Sequence, residues 1–371
     1  MSPGPGAGKN SKTARLFNPF LLSPHMQLAF PPGLKPEPTG VPAGVSFLSN
    51  ALHDTEFASF SLGCRFDSAL SEAEQAALRK DVQAELVRGL EKALNKSFQP
   101  HGADVDCLLD FVCRRLELRL SPVYVCGRYN KFSRSLAQTT HYCFKCKGRG
   151  RGCAFCHGTG RLSEESVEEL LAQVLVPAFG AARGVFHGAG REDVDVRMLG
   201  SGRPFVFELV EPRRRSANLE ALATGINAGF PGKLRVSVLC FCGKESVSEY
   251  KNAEHEKRYA AVVTGSAPFD LSRLSPALGQ RLSIEQRTPL RVSKRRPDKL
   301  RAKYTVLESV KPLDAASFEL VLRASSGLYV KEFVSGDEGR SMPNLASLLG
   351  VPCTCTQLDV LEILDAPAPV I

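Results

Sequence analysis

The sequence predicts an α+β protein whose sheet is mostly antiparallel. Three observations carry that expectation. Apolar residues recur with period two in several short segments, the mark of half-buried strands. Two longer segments instead carry apolar residues at helical spacing. The two patterns do not alternate strictly, as a parallel sheet with crossover helices would require. With 371 residues, the chain is long enough for two domains, each with its own core.

Taken in order, residues 1–45 hold nine Pro and six Gly, with no acid before Glu37. Such a composition predicts a disordered leader. Lys9, Lys12 and Arg15 without acids also match an organellar transit peptide, but the arginine content is low for one. Ser71-Glu72-Ala73-Glu74 is a capping-box pattern, and Leu78, Val82, Leu86, Leu90 and Leu94 follow it at helical spacing. Leu116, Leu118 and Leu120 alternate with charged residues, and Pro122-Val123-Tyr124-Val125 follows, which predicts strands. Residues 46–140 are therefore expected to form a small α+β domain, and 141–161 a linker rich in Gly and Cys. From 162 onward comes a larger domain. It opens with a helix carrying Val167, Leu170, Leu171, Val174 and Leu175, ended by Pro177. Alternating strands follow around Phe205–Leu209, Leu234–Cys240 and Phe318–Leu322.

Composition excludes several classes. Hydrophobic content of 43% and charged content of 23% are those of an ordinary globular protein. No uninterrupted apolar run reaches membrane-spanning length, so no membrane is expected as a partner. Twelve cysteines are too sparse for a disulfide scaffold. The amino terminus lacks the apolar core of a secretory signal, so reduced thiols are expected. A net charge of +9 favours an anionic partner.

Cys143-Phe144-Lys145-Cys146 and Cys153-Ala154-Phe155-Cys156 are two Cys-x-x-Cys turns, each trailed by a Gly-x-Gly step. One turn aims two sulfurs at a point, and two turns complete a tetrahedral thiolate site for zinc. A redox motif does not need the second copy. Four sulfurs leave no open coordination position, so the expected metal is structural. The doubled pattern also resembles half of the cysteine-rich region of DnaJ-type chaperones, but nothing else in the chain supports a chaperone.

Gly190-Arg191-Glu192-Asp193-Val194-Asp195-Val196-Arg197 places three acids and two arginines in a glycine-bounded loop ahead of a strand. By spacing alone it reads as a solvated turn. The run Gly190-Arg191-Glu192-Asp193, however, resembles the catalytic loop of pseudouridine synthases, which reads Gly-Arg-Thr-Asp in the TruA-type enzymes. More of the chain resembles the archaeal and eukaryotic tRNA pseudouridine synthase family that modifies the T-arm. The matching blocks are Cys126–Arg134 with Gln138-Thr139, Gln286–Val292, Gly327–Val334, Gly336–Arg340 and Leu358–Leu361. That family pairs its zinc cysteines across its amino-terminal domain. This chain has no upstream Cys-x-x-Cys pair, and its motif stands before the larger domain instead.

The resemblance implies a pseudouridine synthase catalytic domain of two α+β halves over 162–371, with a THUMP-related RNA-binding domain before it. It implies isomerisation of uridine to pseudouridine at position 54 and/or 55 of tRNA, in the cytoplasm or nucleus, with Asp193 as the catalytic nucleophile and Asp195 as its local rival. Arg191 would fill the space left by the flipped uridine or hold a phosphate. Tyr259 would give the uracil an aromatic face. Tyr329 and Lys331, expected at i and i+2 on one strand, would contact substrate and pair with the catalytic carboxylate. The isomerisation is redox-neutral, so no organic cofactor is expected, and no obligate protein partner is implied. Between Arg287 and Lys303, eight basic residues stand against one acid. Arg287, Arg291, Lys294, Arg295 and Arg296 in that strip are expected to bind RNA phosphates. The competing reading is an RNA-binding scaffold of the same fold that no longer catalyses.

Overall fold

The computed structural model describes residues 26–293 and 296–364. The chain divides into two compact units after Leu120, not near residue 140.

The first unit has five strands, β1 (Met26–Ala29), β2 (Ser59–Arg65), β3 (Ser97–Phe98), β4 (Val105–Asp110) and β5 (Arg115–Leu120), in the order β1-β5-β4-β2-β3. Part of the leader expected over 1–45 is ordered: β1 pairs antiparallel with β5, Met26 opposite Leu118. Phe30 and Leu34 are buried in this unit's core, so a few well-placed apolar residues override the Pro-rich composition. Residues 1–25, with Lys9, Lys12 and Arg15, lie outside the described residues. Helix α2 (Glu72–Leu78) leads into α3 (Ala84–Leu94), on which helix α1 (Val41–Leu52) packs. Ser71 and Glu74 form the expected capping box, and Val82, Leu86 and Leu90 are buried. Gly44 and Gly89 permit the approach: a Cβ on either would meet Leu86 at 2.7 Å or Val45 at 2.6 Å.

The second unit is built on a ten-stranded sheet. One half comprises β6 (Val123–Lys131), β7 (Arg183–Gly188), β8 (Arg197–Val210) and β9 (Leu234–Cys242). The other comprises β10 (Lys257–Gly265), β11 (Arg281–Arg287), β12 (Leu300–Asp314), β13 (Ser317–Ala324), β14 (Ser341–Met342) and β15 (Cys353–Ile363). The order is β14-β11-β12-β13-β10-β15-β8-β6-β9, with β7 also on β8. Every ladder within a half is antiparallel. The halves meet at a short parallel seam, Asp359 opposite Arg197 and Val360 opposite Met198. Cys126–Lys131 therefore belong to this large sheet and not to the small domain in which 46–140 had placed them.

Helices α4 (Val167–Phe179) and α5 (Leu219–Gly229) share the main core with Phe205, Phe207 and Leu209 of β8. The alternate residue Val206 packs with Cys126 and with Tyr250 of α6 (Glu245–Asn252), so both faces of β8 are covered. Pro177 does not end α4. It sits in the last turn, where few amide bonds remain to be lost, and the helix closes at Gly180 with φ +55°. Tyr329 and Lys331 are not on a strand either. After the one-turn α7 (Leu290–Ser293), Tyr329 caps the short helix α8 (Val330–Ser335), and α9 (Leu345–Leu349) follows. Gly327 (φ +78°) and Gly336 (φ +85°) bracket that segment and close it into a helical turn.

Candidate active site and metal centre

The loop 189–196 between β7 and β8 is fastened from beneath by polar groups the core would otherwise exclude. Glu192, inside the acidic run, does not face solvent. Its carboxylate accepts from Arg203 Nε at 2.7 Å and from the Tyr129 hydroxyl at 2.7 Å. The Glu192 and Arg203 side chains are each only 1% exposed. Arg203 also donates to the Ala189 carbonyl at 2.8 Å. Gln138 Nε2 donates to the Tyr129 hydroxyl at 2.8 Å and to the Gly190 carbonyl at 3.0 Å. A buried ion pair survives only when hydrogen bonds satisfy its remaining atoms, and this one is so satisfied.

Lys131 completes the fastening. It is fully buried, and its Nζ donates to the carbonyls of Leu136 (2.8 Å), Asp193 (3.3 Å) and Val194 (2.7 Å). Burial lowers the Lys131 pKa to about 8, against the opposing pull of Glu192 and Asp195. At the far end of the loop, Arg134 donates to the carbonyls of Asp195 and Leu358, both at 2.9 Å. Arg134 and Arg197 both pair with Asp359, at 2.7 and 2.5 Å. The parallel seam thus fixes where the loop ends.

So held, the loop lifts Asp193 to the rim of a cleft of about 510 Å³. Its side chain is 42% exposed and lies 3.1 Å from Arg291 and 3.8 Å from Lys331. Arg291 is braced on its other side by buried Glu332 at 2.5 Å. Lys331 bonds more closely to Asp195, at 2.6 and 2.8 Å. Burial would raise the Asp195 pKa, but the bonds and charge of Lys331 outweigh it and hold the carboxyl below its usual range. The cation nearest Asp193 is thus Arg291, which sequence reasoning had placed among the phosphate contacts.

The cleft brings together Arg191, Asp193, Tyr259, Arg291, Arg296, Tyr329 and Lys331. Tyr259 projects from β10 with its phenol pushed up to about 12 by burial, so it stays protonated at neutral pH and offers a donor and a ring face. Tyr329 is positioned by buried Gln286, which accepts from its amide at 2.8 Å and donates to its carbonyl at 3.0 Å. Arg296 donates to the Tyr329 hydroxyl at 2.9 Å. Lys257, at the cleft floor, is lowered to about 8 by burial and by the Arg203 charge. Arg191 is exposed and has no ion pair among the described residues. Arg287 lies outside the cleft lining, 3.5 Å from Asp298. Lys294 and Arg295 lie outside the described residues.

Sequence reasoning missed Tyr129, Lys131, Gln138, Arg203, Lys257 and Glu332 as site residues. A signal did exist. Tyr129 and Lys131 keep the period-two register of Val123 and Val125 on β6, as Arg203 keeps that of Phe205 on β8, so polar groups occupy inward positions of apolar strands.

The cysteine ribbon forms a second candidate site. The four sulfurs of Cys143, Cys146, Cys153 and Cys156 all lie within 4.8 Å of one another. The Cys143–Cys153 and Cys146–Cys156 separations are 3.9 and 3.8 Å. Thiolates about 2.3 Å from a tetrahedral metal stand about 3.8 Å apart, so the cluster fits a metal ion. The amides of Gly150 and Gly160 point at Cys146 and Cys156, at 3.3 and 3.2 Å. Only glycine serves there, because a Cβ on Gly150 or Gly160 would fall 2.4 Å from a carbonyl of the opposite turn.

Comparison with known proteins places these features in a family. The family model described as "Pus10, C-terminal" matches residues 124–364, beginning at the second unit's first strand. The tRNA pseudouridine synthase Pus10 of Methanothrix thermoacetophila is 40% identical over 85% of this chain and 72% of its own. That of Methanopyrus kandleri is 37% identical over 89% of this chain and 81% of its own, and that of Archaeoglobus fulgidus 36% over 84% and 88%. Among solved structures, the archaeal box H/ACA sRNP Nop10-Cbf5 complex aligns at 9% identity over 64% of this chain and 57% of that one. Its TM-score of 0.27 is too slight to argue from. With a family model matching residues 124–364 and relatives matching along most of its length, the chain belongs to the Pus10 family of tRNA pseudouridine synthases.

Proposed function

We propose that the protein isomerises uridine to pseudouridine in the T-arm of tRNA, at position 54 and/or 55, with Asp193 as nucleophile. The observation that carries this reading is the placement of Asp193. It is a half-exposed carboxylate on a loop fastened by five buried or half-buried side chains, between two cations, at the rim of a cleft that holds two tyrosines. The chemistry needs a carboxylate and a confined ring, and nothing redox-active. The Asp193 carboxylate attacks the ribose C1′, and the C1′–N1 electron pair leaves with the uracil. The base turns, C5 attacks C1′ and expels the carboxylate, and the C5 proton is lost as N1 gains one. Atoms and charge balance, and the enzyme is regenerated.

The surrounding residues have assignable work. Arg291 and Lys331 hold the carboxylate in place, and Glu332 and Asp195 brace those cations. Tyr259 offers its face to a uracil swung out of its stack, an extrusion that costs a few kcal/mol. Arg191, exposed at the loop tip, fills the vacated stack or meets a phosphate. Arg296, with Arg287, Lys294 and Arg295 of the same strip, contacts the RNA backbone. The first unit serves as the THUMP-related RNA-binding domain. Zinc is the metal the four-thiolate set favours, in a structural role because no position stays open for water. A tRNA substrate supports a cytoplasmic or nuclear location.

The test is to incubate the protein with an unmodified tRNA transcript and map pseudouridine by nucleotide, beside Asp193→Ala. Wild type should modify the T-arm and the variant nothing. A wild-type protein that binds the transcript and modifies no uridine would establish the scaffold reading instead.

A further inference from the structure

The cysteine ribbon has an outer face that its metal centre does not account for. Phe144 and Phe155, each between the cysteines of its turn, are 54% and 50% exposed, and Tyr142 beside them is 62% exposed. The two phenylalanine rings meet edge to face with centroids 4.9 Å apart, and the Lys145 ammonium sits 5.7 Å from the Phe155 ring. Lys145, Lys147, Arg149 and Arg151 are all exposed and form no ion pair among the described residues. The fifth cation, Arg161, is bound to Glu169, and residues 141–161 contain no acid. The ribbon's interior is filled by sulfurs and crossing glycines, so these rings have no core to enter.

Flat rings among uncompensated cations suit one class of partner. Every nucleobase offers a π face to an aromatic side chain, and every linkage beside it carries a negative charge. The ribbon is also in the right place, since Gln138 and His141 line the cleft and Cys143 follows two residues later. We propose that the Phe144–Phe155 face is a second RNA-docking surface. An unpaired base of the tRNA, outside the cleft, stacks on it, while Lys145, Lys147, Arg149 and Arg151 hold the flanking phosphates. The proposal rests on tRNA being the substrate, and it gives the ribbon a role in substrate affinity rather than in chemistry.

The experiment measures binding of an unmodified tRNA transcript by the full chain across a salt series, together with pseudouridine kinetics. Phe144→Ala with Phe155→Ala should weaken Kd about tenfold or more, given the usual worth of base stacking. It should raise KM and leave kcat at saturating tRNA unchanged. Phe144→Leu with Phe155→Leu keeps apolar bulk without a π face and should bind as weakly. Lys147→Ala with Arg151→Ala should flatten the slope of log affinity against log salt by about 1.5. This last pair leaves rings and sulfurs intact, so its slope decides the matter even where a ring variant loses its metal. An unchanged slope in that pair, or wild-type binding restored by leucine, would overturn the proposal. So would unchanged tRNA binding accompanied by an altered oligomeric state, which would make the face a protein contact. Wild-type turnover with unaffected ribbon variants sinks this proposal alone, whereas tight binding without turnover sinks only the catalytic reading.

Discussion

At the scale of single residues, the site depends on charges the interior holds in place. Glu192 and Arg203 neutralise each other where neither reaches water. Glu192→Gln leaves the guanidinium uncompensated and should cost about 3–5 kcal/mol, read as a lowered denaturant midpoint with unchanged slope. Lys131 ties the carbonyls of Asp193 and Val194 to the sheet. Lys131→Met should lower kcat by about 100-fold, the usual effect of an ångström-scale misplacement, with tRNA affinity unchanged. Asp195 answers to pH. Its folded pKa is lower than its unfolded one, so its stabilising contribution is complete above the ordinary carboxylate range and disappears as pH falls through the folded value. The difference in unfolding temperature between wild type and Asp195→Asn should accordingly be greatest near neutrality and shrink toward zero in acid. A difference that grows on acidification would contradict the pairing with Lys331.

At the scale of elements, the ribbon should depend on a bound metal ion while the sheet does not, since its two turns enclose sulfurs rather than apolar core. Cys146→Ser should remove the bound metal and open the ribbon to trypsin at Lys145–Arg151, with little change in the unfolding temperature of the large sheet. A metal-free ribbon that resists trypsin would contradict this. Elements whose cause is local could be read before the fold was known: the capping box at Ser71, the Leu86–Leu90 stripe, the alternation on β8 and the paired Cys-x-x-Cys turns. Those set by distant partners could not. Met26–Ala29 is a strand only because Leu118 and its neighbours offer an edge. Glu192 looks like a solvated acid until β6 and β8 bring Tyr129 and Arg203 beneath it. Tyr329 and Lys331 alternate in a strand-like way, yet Gly327 and Gly336 close them into a helix. The role of Arg291 was hidden by its basic neighbours, and only its distance from Asp193 separates it from them.

At the scale of the whole molecule, the net charge of +9 gathers in two places on the second unit, the ribbon and the segment around Arg287–Lys303. Affinity for tRNA should therefore fall steeply with salt. The loop that carries Asp193 ends where the two halves of the sheet are joined, so sheet topology fixes the placement of that carboxylate. The claim that joins these scales is that the Asp193 carboxylate performs the isomerisation on tRNA. Release of tritium from a tRNA transcript labelled at uridine C5 tests it most directly, because forming the new carbon–carbon bond expels that hydrogen. Wild type should release label from the T-arm uridine, and Asp193→Asn should release none while binding the same tRNA with the same affinity. Release by Asp193→Asn at the wild-type rate, or none by a wild-type protein that binds the transcript, would contradict it.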